Sequence, residues 1–217
     1  MSKSAHKRPD KNPILAPVAI SSAHVHLTPA VIEGLFCDSY RLHEHSRHVQ
    51  PTYSAEELVT LIGPHGRLSN VRVIGPPRSV DQVEISQTDA RLLGIEAPVR
   101  ESGNLEGTPG ILIEGPRTRV RLERGVIRAL RHVHMSPGDA DCLGFKDQDR
   151  IAVASVKHVG QILFRDVLVR VSPDYCLELH LDADEAAAAG LRSGDYVVLS
   201  KGASPLVESA AGVVAQS

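Results

Sequence analysis

The chain has 217 residues and a mass of 23.4 kDa, with 42% hydrophobic and 23% charged residues, the balance of a soluble globular protein of one or two domains. A formal charge of -2, a pI near 6.6 and 3% aromatic residues exclude the basic footprint and the stacking platforms of a nucleic-acid binder. No apolar run approaches the ~18 residues that a membrane span requires, and the three cysteines Cys37, Cys142 and Cys176, odd in number and without CxxC spacing, point to a reducing cytoplasm.

Residues 1–12 mix charges without a helical period and read as a disordered lead-in, with no amphipathic targeting helix. Pro13 to Ser21 is an apolar cluster of the kind found in a buried strand, and it runs into Ala23-His24-Val25-His26-Leu27-Thr28-Pro29. A short helix is expected from Thr28, and residues 37–56 read as an irregular polar loop rich in histidine. Leu58 to Ile62 and Leu68 to Ile74 form the arms of a hairpin around Gly63-Pro64-His65-Gly66. After the breaker Gly75-Pro76-Pro77-Arg78, a strand over Ser79 to Ile85 leads into a helix that opens at Ser86 and closes at Gly94. Short β-rich runs follow at 110–114, 120–123, 125–130 and 161–171. The segment from Lys201 is rich in small residues and weakly patterned, so 201–217 reads as a flexible tail.

The chain repeats itself. Arg131-His132-Val133-His134-Met135-Ser136-Pro137 restates the first histidine segment, and residues 88–95, 138–145 and 183–191 look like versions of one module of strand, short helix and glycine cap. These features predict a mainly β protein of two small closed β barrels capped by short α helices and internally duplicated. One barrel is expected from 13–22 plus 130–200, the other from 23–36 plus 57–129.

Side chains alternate along a strand, so His24 and His26 share one face, and His132 and His134 share another, each pair about 7 Å apart. That spacing lets each pair converge on one metal ion or on two neighbouring ones, and it suits zinc. A third pair, His43-Glu44-His45, lacks the apolar residue between the histidines and the Ser/Thr-Pro that follows, and reads as coincidence. His180 stands at the equivalent strand end before the last helix and is a natural additional ligand. Glu84 stands at the corresponding end in the remaining repeat, where it is either an oxygen ligand or a solvent-facing strand residue. Arg78 in its constrained turn, and Arg100 after Pro98, offer guanidinium forks for an anion, whereas Arg117, Arg119 and Arg121 read as solvated charges.

Taken together, VAISSAHVHLTP, GPPRSVDQVEISQTDARLLGIEAPVRESGNLEGTPGI, GVIRALRHVHMSPGDADCLGFKDQDRIAV and DVLVRVSPDYCLELHLDADEAAAAGL resemble the PduL-type phosphotransacylases, or phosphate propanoyltransferases, over roughly residues 13 to 200. The resemblance implies a dimer of two-barrel chains, each with two zinc ions (cobalt being an alternative) between its barrels. It implies that His24, His26 and Glu84 hold one ion, that His132, His134 and His180 hold the other, that Arg78 binds phosphate, and that Ser102 lies near the phosphate. The implied reaction interconverts acyl-CoA plus phosphate with acyl phosphate plus coenzyme A, the acyl group being propanoyl or acetyl. No cysteine sits in a nucleophile-like frame, so direct attack by phosphate is expected. A binuclear zinc thioesterase or hydrolase would use the same ligands without phosphate, and a non-catalytic barrel module would need no metal. A cytoplasmic enzyme is expected rather than one packaged in a bacterial microcompartment. The chain departs from the family pattern at Ser22-Ala23 and in the loop from His43 to Tyr53.

Overall fold

A computed structural model describes residues 13–48, 51–155 and 161–201 of the chain. The lead-in and tail expected from the sequence lie outside these residues, apart from Lys201. Short strands with apolar residues on one face dominate, as the alternating pattern requires. In chain order they are β1 (Ile14–Ser21), β2 (His24–His26), β3 (Glu44–Arg47), β4 (Tyr53–Ile62), β5 (Arg67–Gly75), β6 (Gln82–Glu84), β7 (Val99–Arg100), β8 (Ile111–Glu114), β9 (Arg119–Leu122), β10 (Val126–Ala129), β11 (His132–Met135), β12 (Arg150–Ser155), β13 (Leu163–Val171), β14 (Glu178–Asp182) and β15 (Tyr196–Ser200). Four helices of six or seven residues interrupt them among the described residues: α1 (Pro29–Leu35), α2 (Gln87–Leu93), α3 (Pro137–Leu143) and α4 (Ala183–Ala188).

Six strands close into a barrel in the order β1-β14-β11-β13-β12-β15, and the others form a curled sheet, β7-β10-β6-β2-β5-β4-β8-β9, with β3 paired to β4. The mainly β, duplicated class read from the sequence stands. Only the first sheet closes by hydrogen bonds; the second ends on β7 and β9, strands of two and four residues, and curls as a half barrel. The duplication is explicit in the pairing. β2 runs parallel to β5 and antiparallel to β6, just as β11 runs parallel to β13 and antiparallel to β14.

Each sheet buries its own apolar face. Val133, Val167, Val169, Leu179 and Leu181 fill the barrel, and Val25, Val71, Val73, Val83 and Ile113 fill the curl of the second sheet. Since neighbouring residues point oppositely, burying Val133 and Leu179 turns His132, His134 and His180 outward. Burying Val25 and Val83 does the same for His24, His26 and Glu84.

The helices start where the sequence places a cap. Ser86, Ser136 and Asp182 each accept from the amide three residues on, and the Asp or Glu at that position reaches back to the cap amide; Thr28 caps α1 alone. Gly94 and Gly144 close α2 and α3 in the left-handed region, with φ of 72° in both cases.

One expectation is revised. The loop over 37–56 contains β3, paired with the start of β4, which begins at Tyr53 rather than Leu58. All four residues of β3 are exposed, so no hydrophobic alternation marks it. Within β4 the buried position facing Tyr40 and His43 is Glu57, a charged residue that breaks the apolar pattern.

Candidate active site

The chain passes between the two sheets at Ser22-Ala23 and again at Leu130-Arg131, and a histidine strand begins directly after each crossing. The two histidine pairs therefore meet at the junction. At each crossing the first carbonyl fixes the first imidazole: Ser22 O lies 2.9 Å from His24 Nδ1 and Leu130 O lies 2.7 Å from His132 Nδ1. A carbonyl can only accept, so Nδ1 carries the proton in both rings and Nε2 presents its lone pair.

Strand register supplies the third member of each group. His24 stands opposite Glu84 across β2 and β6, and His132 stands opposite His180 across β11 and β14. His24, His26 and Glu84 each offer a ligand atom within 4.8 Å of the others, and so do His132, His134 and His180. Within the second group the ring centroids are 4.5 to 4.9 Å apart. In the first group Glu84 reaches both imidazoles, with Oε2 3.5 Å from His24 Nε2 and Oε1 3.9 Å from His26 Nε2. A single cleft is lined by Ser22, His24, Glu84, Leu130, His132 and His180, so the two groups face one another.

Burial sets the protonation of this site. It drives the pKa of His26 down to about 2, aided by repulsion from His24 and Arg78 and opposed by the Ile74 backbone. It drives His134 to about 2, helped by His132 and His180, and His132 to about 3, helped by His180. These imidazoles are neutral at physiological pH, the form in which a metal is bound. Burial also pushes the Glu84 carboxyl up, but His24, His132, Arg78 and the Ser102 hydrogen bond outweigh it and hold the group below the usual carboxylate range. Glu84 is therefore an anion.

These residues fit divalent metal ions. Three imidazoles in one group and two imidazoles with a carboxylate in the other are the donor sets of catalytic zinc sites.

Arg78 lies beside the first group, partly buried, its amide donating to Leu27 O at 2.9 Å. Burial lowers its pKa, Glu84 and Tyr175 oppose that, and Arg170 adds to it. Ser102 donates to Glu84 Oε1 at 3.1 Å and accepts from Gln82 Nε2 at 2.8 Å. Gln82, 1% exposed, also donates to Glu84 Oε1 at 2.5 Å and accepts from the Gly103 amide at 2.8 Å. All eight residues singled out from the sequence as ligands, anion holder and neighbour thus lie at the junction.

Arg100 does not join them; its Nη1 donates to Val99 O. Arg117, Arg119 and Arg121 form exposed ion pairs with Asp38, Glu114 and Glu123, as solvated charges do. The sequence reading missed Gln82, Arg170 and Tyr175. Gln82 carried a usable signal, since it lies two residues before Glu84 and so on the same strand face. His48 hydrogen-bonds Thr52 and Ser54 and is close enough to His24 and His180 to feel their charge, whereas His43 binds Glu57 instead.

Residues 17–192 match the family model described as phosphate propanoyltransferase. A phosphate propanoyltransferase of Thermotoga maritima is 49% identical over 183 residues, covering 84% of this chain and 87% of that protein. Those of Salmonella typhimurium and Klebsiella pneumoniae are each 50% identical over 175 residues, covering 80% of this chain and 83% of the relative. By this extent of likeness, the chain belongs to the phosphate propanoyltransferase family.

Proposed function

We propose that this protein interconverts acyl-CoA plus phosphate with acyl phosphate plus coenzyme A, the acyl group being propanoyl or acetyl. The observation that carries the reading is the pair of three-ligand groups facing one another beside Arg78. His24, His26 and Glu84 would hold one ion and His132, His134 and His180 the other, zinc in both cases with cobalt as the alternative. Bound there, the ions would supply Lewis-acid stabilisation of charge on phosphate, thioester oxygen and departing sulfur.

The protein's own residues do the rest. Arg78 binds two phosphate oxygens through its fork and offsets the charge that makes phosphate a poor nucleophile. Ser102 and Gln82 hold Glu84 in one orientation. In the forward direction a phosphate oxygen forms the new bond to the thioester carbon, the carbon–sulfur bond breaks, and the proton of hydrogen phosphate ends on the thiol of coenzyme A. None of Cys37, Cys142 and Cys176 lines the cleft, which supports direct attack over an acyl-enzyme. The same reading takes the working unit as a cytoplasmic homodimer, testable by light scattering and cell fractionation. No helix of the described residues is long and apolar enough to cross a membrane.

The deciding experiment follows thiol release from propanoyl- and acetyl-CoA with and without phosphate, beside metal analysis of the same protein. Strict phosphate dependence with two ions per chain is expected. Release without phosphate would establish a binuclear hydrolase instead, and a folded, metal-free, inactive protein would establish a binding module.

A further inference from the structure

Arg170 lies on β13, paired in register with His134 of β11, so its side chain leaves the barrel on the face that carries the second ligand group. The duplication offers no counterpart. One residue past Val73, the equivalent position of β5 is Ile74. An arginine here is not an inherited feature of the repeated unit.

Two neighbours hold the guanidinium. It lies over the ring of Tyr175, with Cζ 5.7 Å from the centroid, and Tyr175 in turn stacks on His134 at 3.8 Å. Its Nε is 3.4 Å from Glu101 Oε1, and Glu101 directly precedes Ser102, the residue bonded to Glu84. Arg170 therefore reaches from the barrel to the loop that supports the other ligand group. It also lies near enough to Arg78 for the two charges to repel.

We propose that Arg170 is a second phosphate-binding guanidinium, which with Arg78 grips the anion from the opposite sheet and is held ready by Tyr175 and Glu101. The proposal rests on the acyl-transfer reading above. Its physical basis is charge and direction. With two divalent ions bound, their charge and that of two guanidiniums would exceed the four nearby carboxylates, Glu84, Glu101, Glu178 and Asp182, so the cleft would favour an anion. One arginine fork binds two phosphate oxygens but leaves rotation about that axis, whereas a second fork from another direction fixes the line of attack. A bare tie between Arg170 and Glu101 would place no demand on phosphate and, being partly exposed, would contribute little to stability.

The test uses the metal-loaded full chain and compares wild type with R170Q, R170K and E101Q. R170Q is expected to raise KM for phosphate about tenfold to a hundredfold, the loss of one charge-assisted contact, with KM for propanoyl-CoA changed less than about threefold. R170K should fall between, since it keeps the charge and loses the fork. E101Q, which loosens the tie that positions the guanidinium but keeps its charge, should raise KM for phosphate by clearly less than R170Q does. Calorimetric titration with inorganic phosphate should show the same order of affinities, at unchanged metal content. An unchanged KM for phosphate in R170Q, or equal losses in R170Q and E101Q, overturns the proposal; R170K decides if R170Q fails to fold. Wild-type thiol release independent of phosphate would overturn the acyl-transfer reading itself, a result distinct from the others.

Discussion

Gln82 shows how much one uncharged side chain can govern. It is 1% exposed and touches Glu84, Ser102 and the Gly103 amide at once, so it fixes the carboxylate that both histidines of the first group approach. Replacing it with Leu removes three hydrogen bonds, one of them to the Glu84 carboxylate, at a cost of about 1–3 kcal/mol. In a chain of this size that corresponds to a fall of roughly 2–12 °C in Tm, readable by calorimetry, with a loss of activity beyond what stability explains. His132 gives a second expectation at this scale. His132→Ala should lower bound metal from two ions to one and cut phosphate-dependent thiol release at least about a hundredfold, the size of effect expected on losing a catalytic metal ligand. Elemental analysis with kinetics checks both. Glu57 gives a third. Burial works against its ionisation, but hydrogen bonds from His43 and Tyr40 and its own backbone prevail and hold the carboxyl below its usual value. The folded state then binds fewer protons at this group than the unfolded state. Its contribution is present above pH 4.5 and is lost as pH falls through the folded value. Glu57→Gln should cost about 1–3 kcal/mol at neutral pH, and its Tm difference from wild type should shrink in acid.

At the scale of elements, the helices depend on their ends. Each is too short to be stable alone, so capping and docking decide whether it forms. The reciprocal Ser136 and Asp139 contacts begin α3 directly after the second histidine strand. Ser136→Ala should cost about 1 kcal/mol, measured by denaturant unfolding with an unchanged m-value. Glycine matters most where another backbone passes close by. A Cβ on Gly63, in the β4–β5 turn, would lie 2.1 Å from Leu93 O at the end of α2, so this turn accepts only glycine. The Gly-Pro-His-Gly hairpin is thus a docking surface for α2 as well as a reversal of the chain.

For the whole molecule, we propose that the packing units are residues 13–22 plus 130–200 and residues 23–36 plus 57–129. β1 closes the barrel, since it pairs with β14 on one side and β15 on the other. A chain lacking residues 1–21 should therefore lose the barrel: its unfolding should cease to be a single cooperative transition, and the His132 group should lose its metal affinity although every ligand remains. Circular dichroism melting with metal analysis tests this.

Much of this arrangement was legible in the residues. Alternation around Val25 and Val133 put each histidine pair on one strand face, and the Ser/Thr-Pro caps and glycine stops located the helices, because these signals act between residues a few positions apart. Glu84 and His180 could be placed at repeat-equivalent strand ends for the same reason. The exposed strand β3 was hidden, since nothing apolar marks it, and so was Glu57, whose burial depends on partners from another segment. What only the tertiary structure decided is which strand ends face each other. The register of β2 on β6 and of β11 on β14, and the two crossings that bring those ends to one cleft, depend on contacts between residues about fifty or more positions apart. Local sequence has no means of encoding such distances directly. Arg170 illustrates the limit: its strand was legible, but its place beside His134 is a fact of parallel pairing, fixed only when the barrel closes.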